Sequence, residues 1–258
     1  RPDLSIPPMK QLVALGRLLR VVQHLLQGVW IIRRAFPKLS PTEREERVQA
    51  WARAMLAHLA IKLVVNGQPP LAGPVLLVSN HISWLDIVVM HAARHCRFVS
   101  KADIQRWPVV GTLADAAGTL YIERESRRDA LRVVHHMAER LQAGDVLAVF
   151  PEGTTGDGAH VMPFHANLLQ AAISAQAPVQ PVALHFADCV TGAMSFAPCY
   201  IGDDTLLQSV WRTLTTPNLE AVVSFGAPQQ ADGRDRRTWA ADLRTAVMDL
   251  RADPRLRV

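Results

Sequence analysis

VLLVSNHISWLD, residues 75–86, is the stretch of this chain that says most about its fold. Its first four residues are all apolar, which is typical of a short strand buried on both faces of a sheet. His81 comes at the end of that predicted strand, and Asp86 follows five residues later. The end of a buried strand opens onto a cleft while the strand itself stays rigid, so a side chain placed there is well positioned to act on a substrate.

A histidine with a nearby carboxylate can work as a general base and its orienting partner. Asp86 would hold one ring nitrogen of His81 as N–H, which leaves the other nitrogen free to take a proton from a hydroxyl. The pattern supplies no protein nucleophile, so the attacking hydroxyl would belong to the substrate. The alternative is an aspartate that caps a helix beside an unrelated histidine. On an ideal helix the two side chains would point roughly 140° apart, so the segment must bend, or be only partly helical, for them to meet.

Three later blocks give this pattern a context. Residues 118–124 read GTLYIER, a short strand pattern that ends in a basic residue. Residues 150–155 read FPEGTT and follow the apolar run at 146–149, which predicts another buried strand with a turn at its end. Residues 179–184 read VQPVAL and predict a further strand. Each block alone is weak, because short motifs of this kind arise by chance.

Taken together, in this order and at these approximate spacings, the four blocks resemble the glycerolipid acyltransferase family, which includes bacterial 1-acylglycerol-3-phosphate acyltransferase. The likeness runs from about residue 60 to about residue 228. It implies an O-acyltransferase that moves a fatty acyl group from acyl-CoA or acyl-carrier protein to the free hydroxyl of a lysolipid, in phospholipid biosynthesis. His81 and Asp86 would be its catalytic pair. The thioester would be a co-substrate, with no bound cofactor and no metal.

The same resemblance implies a set of acceptor contacts. Arg124 ends the second block, and a guanidinium suits bidentate contact with phosphate; the alternative is an ion pair with Glu123 or Glu125. Three more residues fall in the third block, where the family contacts the acceptor: Glu152, Gly153 and Thr154. A glycine in that turn lets the backbone approach a ligand closely. Backbone N–H groups near it are candidates to stabilise a tetrahedral oxyanion.

The third block departs from the family pattern at its last position. Thr155 stands where the family usually has Arg or Ser, so one cation is missing from the expected acceptor pocket. This ending resembles members that acylate lyso-ornithine lipid, a zwitterionic acceptor without phosphate. The first expectation is therefore 1-acylglycerol-3-phosphate, and lyso-ornithine lipid is the alternative. Lys101 and Arg106 are candidates for the missing cation, unless they are ordinary surface charges.

The N-terminal segment carries most of the basic character. The chain has a net charge of +5, yet the stretch from Leu4 to Thr42 has six basic residues and no acidic one. Its longest uncharged run has 12 residues, fewer than the roughly 20 that a membrane-spanning helix needs. A stripe at helical spacing collects the polar residues Lys10, Arg17, Arg20, His24, Gln27 and Arg34. This predicts an amphipathic helix lying in an anionic membrane surface; the alternative is a helix packed on the fold with a solvated basic face.

The rest of the chain alternates between strand and helix patterns. Residues 40–43 form a capping box, which predicts that a second helix begins there. Residues 1–60 are therefore predicted to form a pair of membrane-associating helices, and residues 61–258 are predicted to form the catalytic domain. Strands are predicted at 61–65, 75–79, 97–100, 119–123, 146–150, 179–186 and 221–225, and helices at 127–141, 166–175 and 238–250. The fold class is α/β, with a largely parallel central sheet flanked by helices.

Other functions fit less well. A lipid-cleaving serine hydrolase lacks its G-x-S-x-G turn, since Ser83 has no flanking glycines. The basic residues show no interleaved aromatics, which disfavours nucleic acid as a partner. A membrane-bound lipid-binding protein without catalysis stays a distant alternative. The expected location is the cytoplasmic face of a bacterial inner membrane, to which the protein would bind peripherally. The expected partners are membrane lipids and, as a donor of the acyl group, acyl-carrier protein. Three cysteines without a C-x-x-C pattern agree with a reducing compartment.

Overall fold

A computed structural model describes residues 7–122, 127–202 and 204–252. Within these residues, seven strands form one sheet in the order β1-β7-β6-β2-β5-β3-β4. The strands are β1 Lys62–Asn66, β2 Val75–Ser79, β3 Arg97–Lys101, β4 Leu120–Ile122, β5 Val146–Val149, β6 Val179–Asp188 and β7 Leu219–Phe225. Neighbouring strands are parallel, except that β6 and β7 are antiparallel. The predicted α/β class with a largely parallel sheet is confirmed.

Helices cover both faces of the sheet. They are α1 Pro8–Arg34, α2 Pro41–His58, α3 Asp86–Ala93, α4 Val110–Ala116, α5 Arg127–Gln142, α6 Leu169–Ala175, α7 Leu206–Thr215 and α8 Arg236–Ala252. Each predicted strand and helix is present within a few residues of its expected bounds. Helices α3 and α7 were not predicted from the sequence. The predicted boundary between residues 60 and 61 stays a prediction, although α1, α2 and the sheet share one apolar cluster.

Strand direction decides where functional groups can meet. Strands β2, β3, β4, β5 and β6 all point the same way, so their carboxyl ends lie along one edge. Every residue of β2 and of β5 is buried, as expected for central strands covered on both faces. Val78 of β2 pairs with Val149 of β5, so the chain leaves both strands at the same level. The segments that follow, at residues 80 and 150, are therefore neighbours.

Helix α2 begins as its sequence predicts. The hydroxyl of Ser40 accepts the backbone N–H of Glu43 at 3.3 Å, and the Glu43 carboxylate accepts the backbone N–H of Ser40 at 2.8 Å. Helix α1 packs against α2 through His24, whose ring stacks on Trp51 at 4.9 Å between centroids. Gly28 makes this approach possible, because a Cβ there would lie 2.6 Å from the indole nitrogen of Trp51.

Helix α1 differs from its prediction in which face turns inward. His24 is buried, and Arg17 donates from Nη1 to the backbone oxygen of Leu214 in α7 at 2.8 Å, so two members of the predicted headgroup stripe face the protein. The outer face carries instead a ridge of exposed apolar side chains at helical spacing: Leu12, Leu15, Leu19, Val22, Leu26 and Trp30. Arg20, Gln23, Gln27 and Arg34 flank it and are also exposed. Among the described helices, none combines the length and the apolar character needed to cross a membrane.

Candidate active site

The exit from β2 is fixed before the functional residues begin. The side-chain amide of Asn80 donates to the backbone oxygen of Leu184 at 2.9 Å, and its oxygen accepts the N–H of the same residue at 2.8 Å. This pair ties the segment to β6 next door. Residues 80–85 are not helical, and α3 begins only at Asp86. The 140° separation expected on a helix therefore does not apply.

His81 and Asp86 meet as the sequence predicts. Nδ1 of His81 lies 2.8 Å from Oδ2 of Asp86. The same oxygen accepts the backbone N–H groups of Ile82 at 2.6 Å and Ser83 at 2.9 Å. Asp86 is completely buried. A carboxylate that receives these N–H groups acts as an acceptor, so Nδ1 of His81 carries the hydrogen and Nε2 has the free lone pair. The roles of this pair in catalysis stay predictions.

The His81 ring is held in place on its flat side as well. It stacks on Phe150, the first residue after β5, with the centroids 4.1 Å apart and the planes 6° from parallel. Phe150 stacks in turn on the buried ring of Phe98 at 5.4 Å. The His81 side chain is 19% exposed, so one edge of the imidazole reaches the surface. A rigid ring with one open edge suits a base that acts on an incoming substrate.

Glu152 connects the segments that leave β2 and β5. Its Oε1 accepts the backbone N–H of His81 at 3.1 Å, and its Oε2 accepts the backbone N–H of Met162 at 3.3 Å. The residue is only 5% exposed. Burial raises the pKa of Glu152 to about 7, against the two N–H groups, which favour the charged form. Both carboxylate oxygens of Glu152 therefore already accept backbone N–H groups. The contact of Glu152 with the acceptor stays a prediction.

Of the other predicted binding residues, two follow Glu152 in the turn after β5, and one lies outside the described residues. Gly153 adopts the left-handed region with φ of 75°, and its N–H donates to the oxygen of Phe150 at 3.1 Å, so this N–H is already engaged. Thr154 is exposed at the tip of the turn. Arg124 falls among residues 123–126, outside the described residues, and its phosphate role stays a prediction.

The departure at Thr155 has a structural explanation. Its hydroxyl donates to the backbone oxygen of Tyr200 at 2.5 Å and so ties the turn to the connection between β6 and α7.

Ser83 is completely buried, and its hydroxyl donates to the backbone oxygen of Pro198 at 2.5 Å. A serine bound in this way is a structural residue, which agrees with the case against a serine hydrolase. Lys101 is exposed at the carboxyl end of β3, and Arg106 is exposed in the 3-10 turn that follows.

Sequence reasoning missed the segment 196–201, which closes one side of the site. Besides Pro198 and Tyr200, it places Cys199 and Phe196 within 3.3 Å of where a Cβ on Gly158 would be. No motif marks this segment, because its place depends on tertiary contacts.

The described part of the chain shows no group of three or more His, Cys, Asp or Glu side chains that could hold a metal ion. Cys96 and Cys199 are buried, whereas Cys189 is exposed.

A cavity of about 270 Å³ lies beside the turn at Gly153. Most of its lining is apolar: Ile122, Val133, Val134, Phe150, Pro151 and Leu168, with Gly153, His165 and Asn167 completing it. Phe150 separates this space from the imidazole of His81. Taken with the site, the fold defines an α/β enzyme whose histidine can take a proton from a substrate hydroxyl.

Comparison with known proteins identifies the family. The family model described as Acyltransferase matches residues 42–185. The lyso-ornithine lipid O-acyltransferase of Pseudomonas aeruginosa is 36% identical, over 93% of this chain and 92% of that protein. A 1-acyl-sn-glycerol-3-phosphate acyltransferase of Neisseria gonorrhoeae is 37% identical, over 83% of this chain and 84% of that protein. The chain therefore belongs to the acyltransferase family, and it is an acyltransferase.

A solved structure supports the same fold. The crystal structure of the 1-acyl-sn-glycerophosphate acyltransferase PlsC from Thermotoga maritima matches with a TM-score of 0.70. The match covers 95% of this chain and 97% of that one, at 18% sequence identity. Near-complete coverage in both directions means that the N-terminal helices and the sheet belong to one shared architecture.

Proposed function

We propose that this enzyme transfers a fatty acyl group from a thioester, carried by CoA or acyl-carrier protein, to the free hydroxyl of a lysolipid. The proposed acceptor is 1-acylglycerol-3-phosphate, which would give phosphatidic acid. The observation that carries the proposal is the 2.8 Å contact between His81 Nδ1 and Asp86 Oδ2 at the carboxyl edge of the sheet. It leaves His81 Nε2 available as a base, and no hydroxyl of the described residues is hydrogen-bonded to that nitrogen.

The reaction follows from that geometry. Nε2 of His81 takes the proton of the lysolipid hydroxyl while the oxygen attacks the thioester carbonyl carbon. The buried Asp86 carboxylate stabilises the imidazolium that forms. The tetrahedral intermediate then collapses as its carbon–sulfur bond breaks, and the imidazolium returns the proton to the leaving thiolate. One ester bond replaces one thioester bond, and His81 ends as neutral imidazole.

Lyso-ornithine lipid is the second candidate acceptor, and one contact favours it. Thr155 stands at the position where the family usually has Arg or Ser, so the cation that an arginine would offer to a phosphate is absent at that position. The hydroxyl of Thr155 instead donates to the backbone oxygen of Tyr200. A zwitterionic headgroup needs less positive charge at this position. Relatives named for either acceptor match most of this chain at similar identity. The apolar cavity beside Gly153 suits part of the hydrocarbon of either substrate.

Membrane lipids are the proposed surroundings of the enzyme. The outer ridge of α1 exposes Leu19 at 64% and Trp30 at 62%, with Arg20 and Arg34 on its flank. An apolar ridge beside cations is the pattern of a helix that lies in the surface of an anionic bilayer. The proposed location is the cytoplasmic face of a bacterial inner membrane, where thioester donors and lysolipids meet.

A side-by-side assay tests the acceptor. Purified enzyme receives a labelled acyl thioester together with lysophosphatidic acid or lyso-ornithine lipid, both at matched density in the same vesicles. We expect labelled diacyl product from lysophosphatidic acid at the higher kcat/KM. A higher value for lyso-ornithine lipid would replace the first acceptor by the second. Turnover of neither lipid, by enzyme that is folded and bound to vesicles, would reject the lysolipid proposal.

A further inference from the structure

The C-terminal helix α8 reaches the active site through two arginines, although it lies outside the residues that the family model matches. Arg244 donates from Nε to the backbone oxygens of Val161 and Met162 at 3.0 and 3.1 Å, and from Nη2 to Val161 at 2.6 Å. Arg251, two turns later, donates from Nη2 to the backbone oxygen of Gly158. Both arginines thus bind carbonyl groups of one short segment.

That segment, residues 156–162, is called the brace loop here because it holds the catalytic histidine. The N–H of Gly156 donates to the backbone oxygen of His81 at 2.7 Å. The N–H of Met162 donates to Glu152, which accepts the N–H of His81 through its other oxygen. The N–H and the carbonyl of His81 are therefore both fixed by the brace loop, one of them through Glu152.

We propose that Arg244 and Arg251 are positioning residues for acyl transfer, which fix the brace loop and through it the backbone of His81. This inference rests on the proposed role of His81 as the base. A displacement of about 1 Å at a reacting group can lower a rate roughly 100-fold, so contacts remote from the substrate can matter this much. Neither arginine touches the substrate in this scheme.

Helix α8 has its own anchors, which separate positioning from folding. Trp239, Leu243 and Val247 are completely buried, and Val247 packs against Val161 of the brace loop. The helix therefore stays docked when an arginine is replaced. A glutamine at either position keeps part of the side-chain length and packing while it removes the charge and most N–H donors.

Arg251 also acts by charge. Burial lowers the pKa of its guanidinium, while attraction to Glu152 and Asp157 opposes that shift. The groups that face Glu152 electrostatically are His81 and Asp86 from the segment after β2, and Arg251 from α8. Loss of the Arg251 cation should therefore raise the pKa of Glu152. Arg244 instead binds the uncharged carbonyl oxygens of Val161 and Met162, so its replacement removes hydrogen bonds to the brace loop.

The test compares R244Q, R251Q and R251K with R237Q, which replaces an exposed arginine at the start of α8. We expect R244Q and R251Q to lower kcat roughly 10- to 100-fold while KM for both substrates changes less than about twofold. Because the charged carboxylate of Glu152 is the stronger acceptor for the backbone N–H of His81, protonation of Glu152 should lower kcat on the acid side. This acid limb should move to higher pH in R251Q and stay in place in R251K, which keeps the charge. R237Q should match the wild type.

Hydrogen exchange measured by mass spectrometry adds a readout that needs no substrate. Peptides covering 80–86 and 150–165 should exchange faster in R244Q and R251Q than in R237Q, while peptides from β6 stay unchanged. This arm decides the matter even if the acceptor proposed above is wrong. The inference is overturned if folded R244Q and R251Q keep the kcat and the exchange of R237Q. It is equally overturned if their activity falls only in proportion to the unfolded fraction.

Discussion

The N-terminal helix and the carboxyl edge of the sheet break the usual rule of burial in opposite directions. On α1, Leu19 and Trp30 are 64% and 62% exposed, although they are large and apolar. At the sheet edge, Asp86 and Glu152 are 0% and 5% exposed, although they are carboxylates. Scattered exposed apolar residues need no explanation, but a continuous ridge does. Buried carboxylates likewise need partners.

The comparison shows how each region offsets its cost. The carboxylates at the sheet edge accept backbone N–H groups from Ile82, Ser83, His81 and Met162. The ridge of α1 has no such partner in the part of the chain that the structure describes, so its apolar surface stays in contact with solvent until something covers it. The sheet edge is satisfied within the protein except at Oδ1 of Asp86, which is buried and has no hydrogen-bond partner among the described residues. The ridge, in contrast, is completed by the proposed bilayer.

The largest effect should come from the sheet edge. His81→Ala is expected to lower kcat by roughly 10²- to 10⁴-fold, because it removes the general base. Vesicle binding and the thermal unfolding midpoint should stay close to those of the wild type. His135→Ala, which removes a 79% exposed imidazole on α5, is the matched control. Near-normal turnover in His81→Ala would refute the mechanism, whereas loss of vesicle binding along with activity would show that the two regions are not independent.

Glu152 gives a second, pH-dependent contrast. Its pKa is raised from 4.5 to about 7, so the folded state binds a proton more tightly than the unfolded state does. The associated stability is therefore fully present below pH 4.5 and is lost as the pH rises through 7. The loss amounts to about 3 kcal/mol. Glu152→Gln should remove this pH dependence from the free energy of unfolding, measured by urea titration between pH 5 and 8.

Two outcomes of that titration would contradict a raised pKa of Glu152. If the variant and the wild type differ by a constant amount at every pH, then Glu152 titrates normally and its burial is not costly. If the difference changes in the opposite direction, with the wild type gaining stability as the pH rises relative to the variant, then the two N–H bonds outweigh burial. Glu139→Gln, at a 58% exposed position, is the control for loss of a surface carboxylate.

The sequence predicted the sheet edge better than it predicted α1, for physical reasons. Central strands are short apolar runs that any neighbouring strand would cover, so β2 and β5 could be recognised without knowledge of tertiary contacts. The meeting of His81 and Asp86 followed from a local segment of five residues. In contrast, the side of α1 that is buried depends on which side packs against the rest of the protein. Both sides carry apolar residues, so the sequence alone does not distinguish them. Ala14 and Gly28, four turns apart, are buried and mark the inner face of the helix.

The two unpredicted helices differ in what the sequence offered. Residues 86–93 of α3 are nearly all apolar and have no side-chain cap, so no helical periodicity separates them from a strand. Helix α7, however, begins with a capping box, in which Thr205 and Gln208 bind each other's backbone N–H groups. The sequence therefore does carry a local signal for the start of α7. The brace loop and segment 196–201 offered no signal, because only tertiary contacts place them at the site.

A substitution on the ridge tests the region that α1 contributes. The double variant Leu19→Ser and Leu26→Ser should lower the partition coefficient onto anionic vesicles by roughly 10- to 100-fold, since two apolar side chains leave the bilayer. The free energy of unfolding should change little, because both residues are exposed. Leu131→Ser, at a 71% exposed position on α5, is the control of the same type. Equal vesicle binding by the ridge variant and the control would place the membrane contact elsewhere.

The smallest expected effect separates the two faces of α1 with one residue type. Gly16 has nothing within 4 Å of where a Cβ would be, so Gly16→Ala should stabilise the protein by about 0.5 to 1 kcal/mol through helix propensity. At Gly28 the same change puts a methyl group 2.6 Å from the Trp51 indole, and overpacking should outweigh the propensity gain by about 1 kcal/mol. Urea unfolding of both variants measures the sign. If both stabilise alike, then α1 is not packed on α2 through Gly28, and its inner face would be as available to a membrane as its ridge.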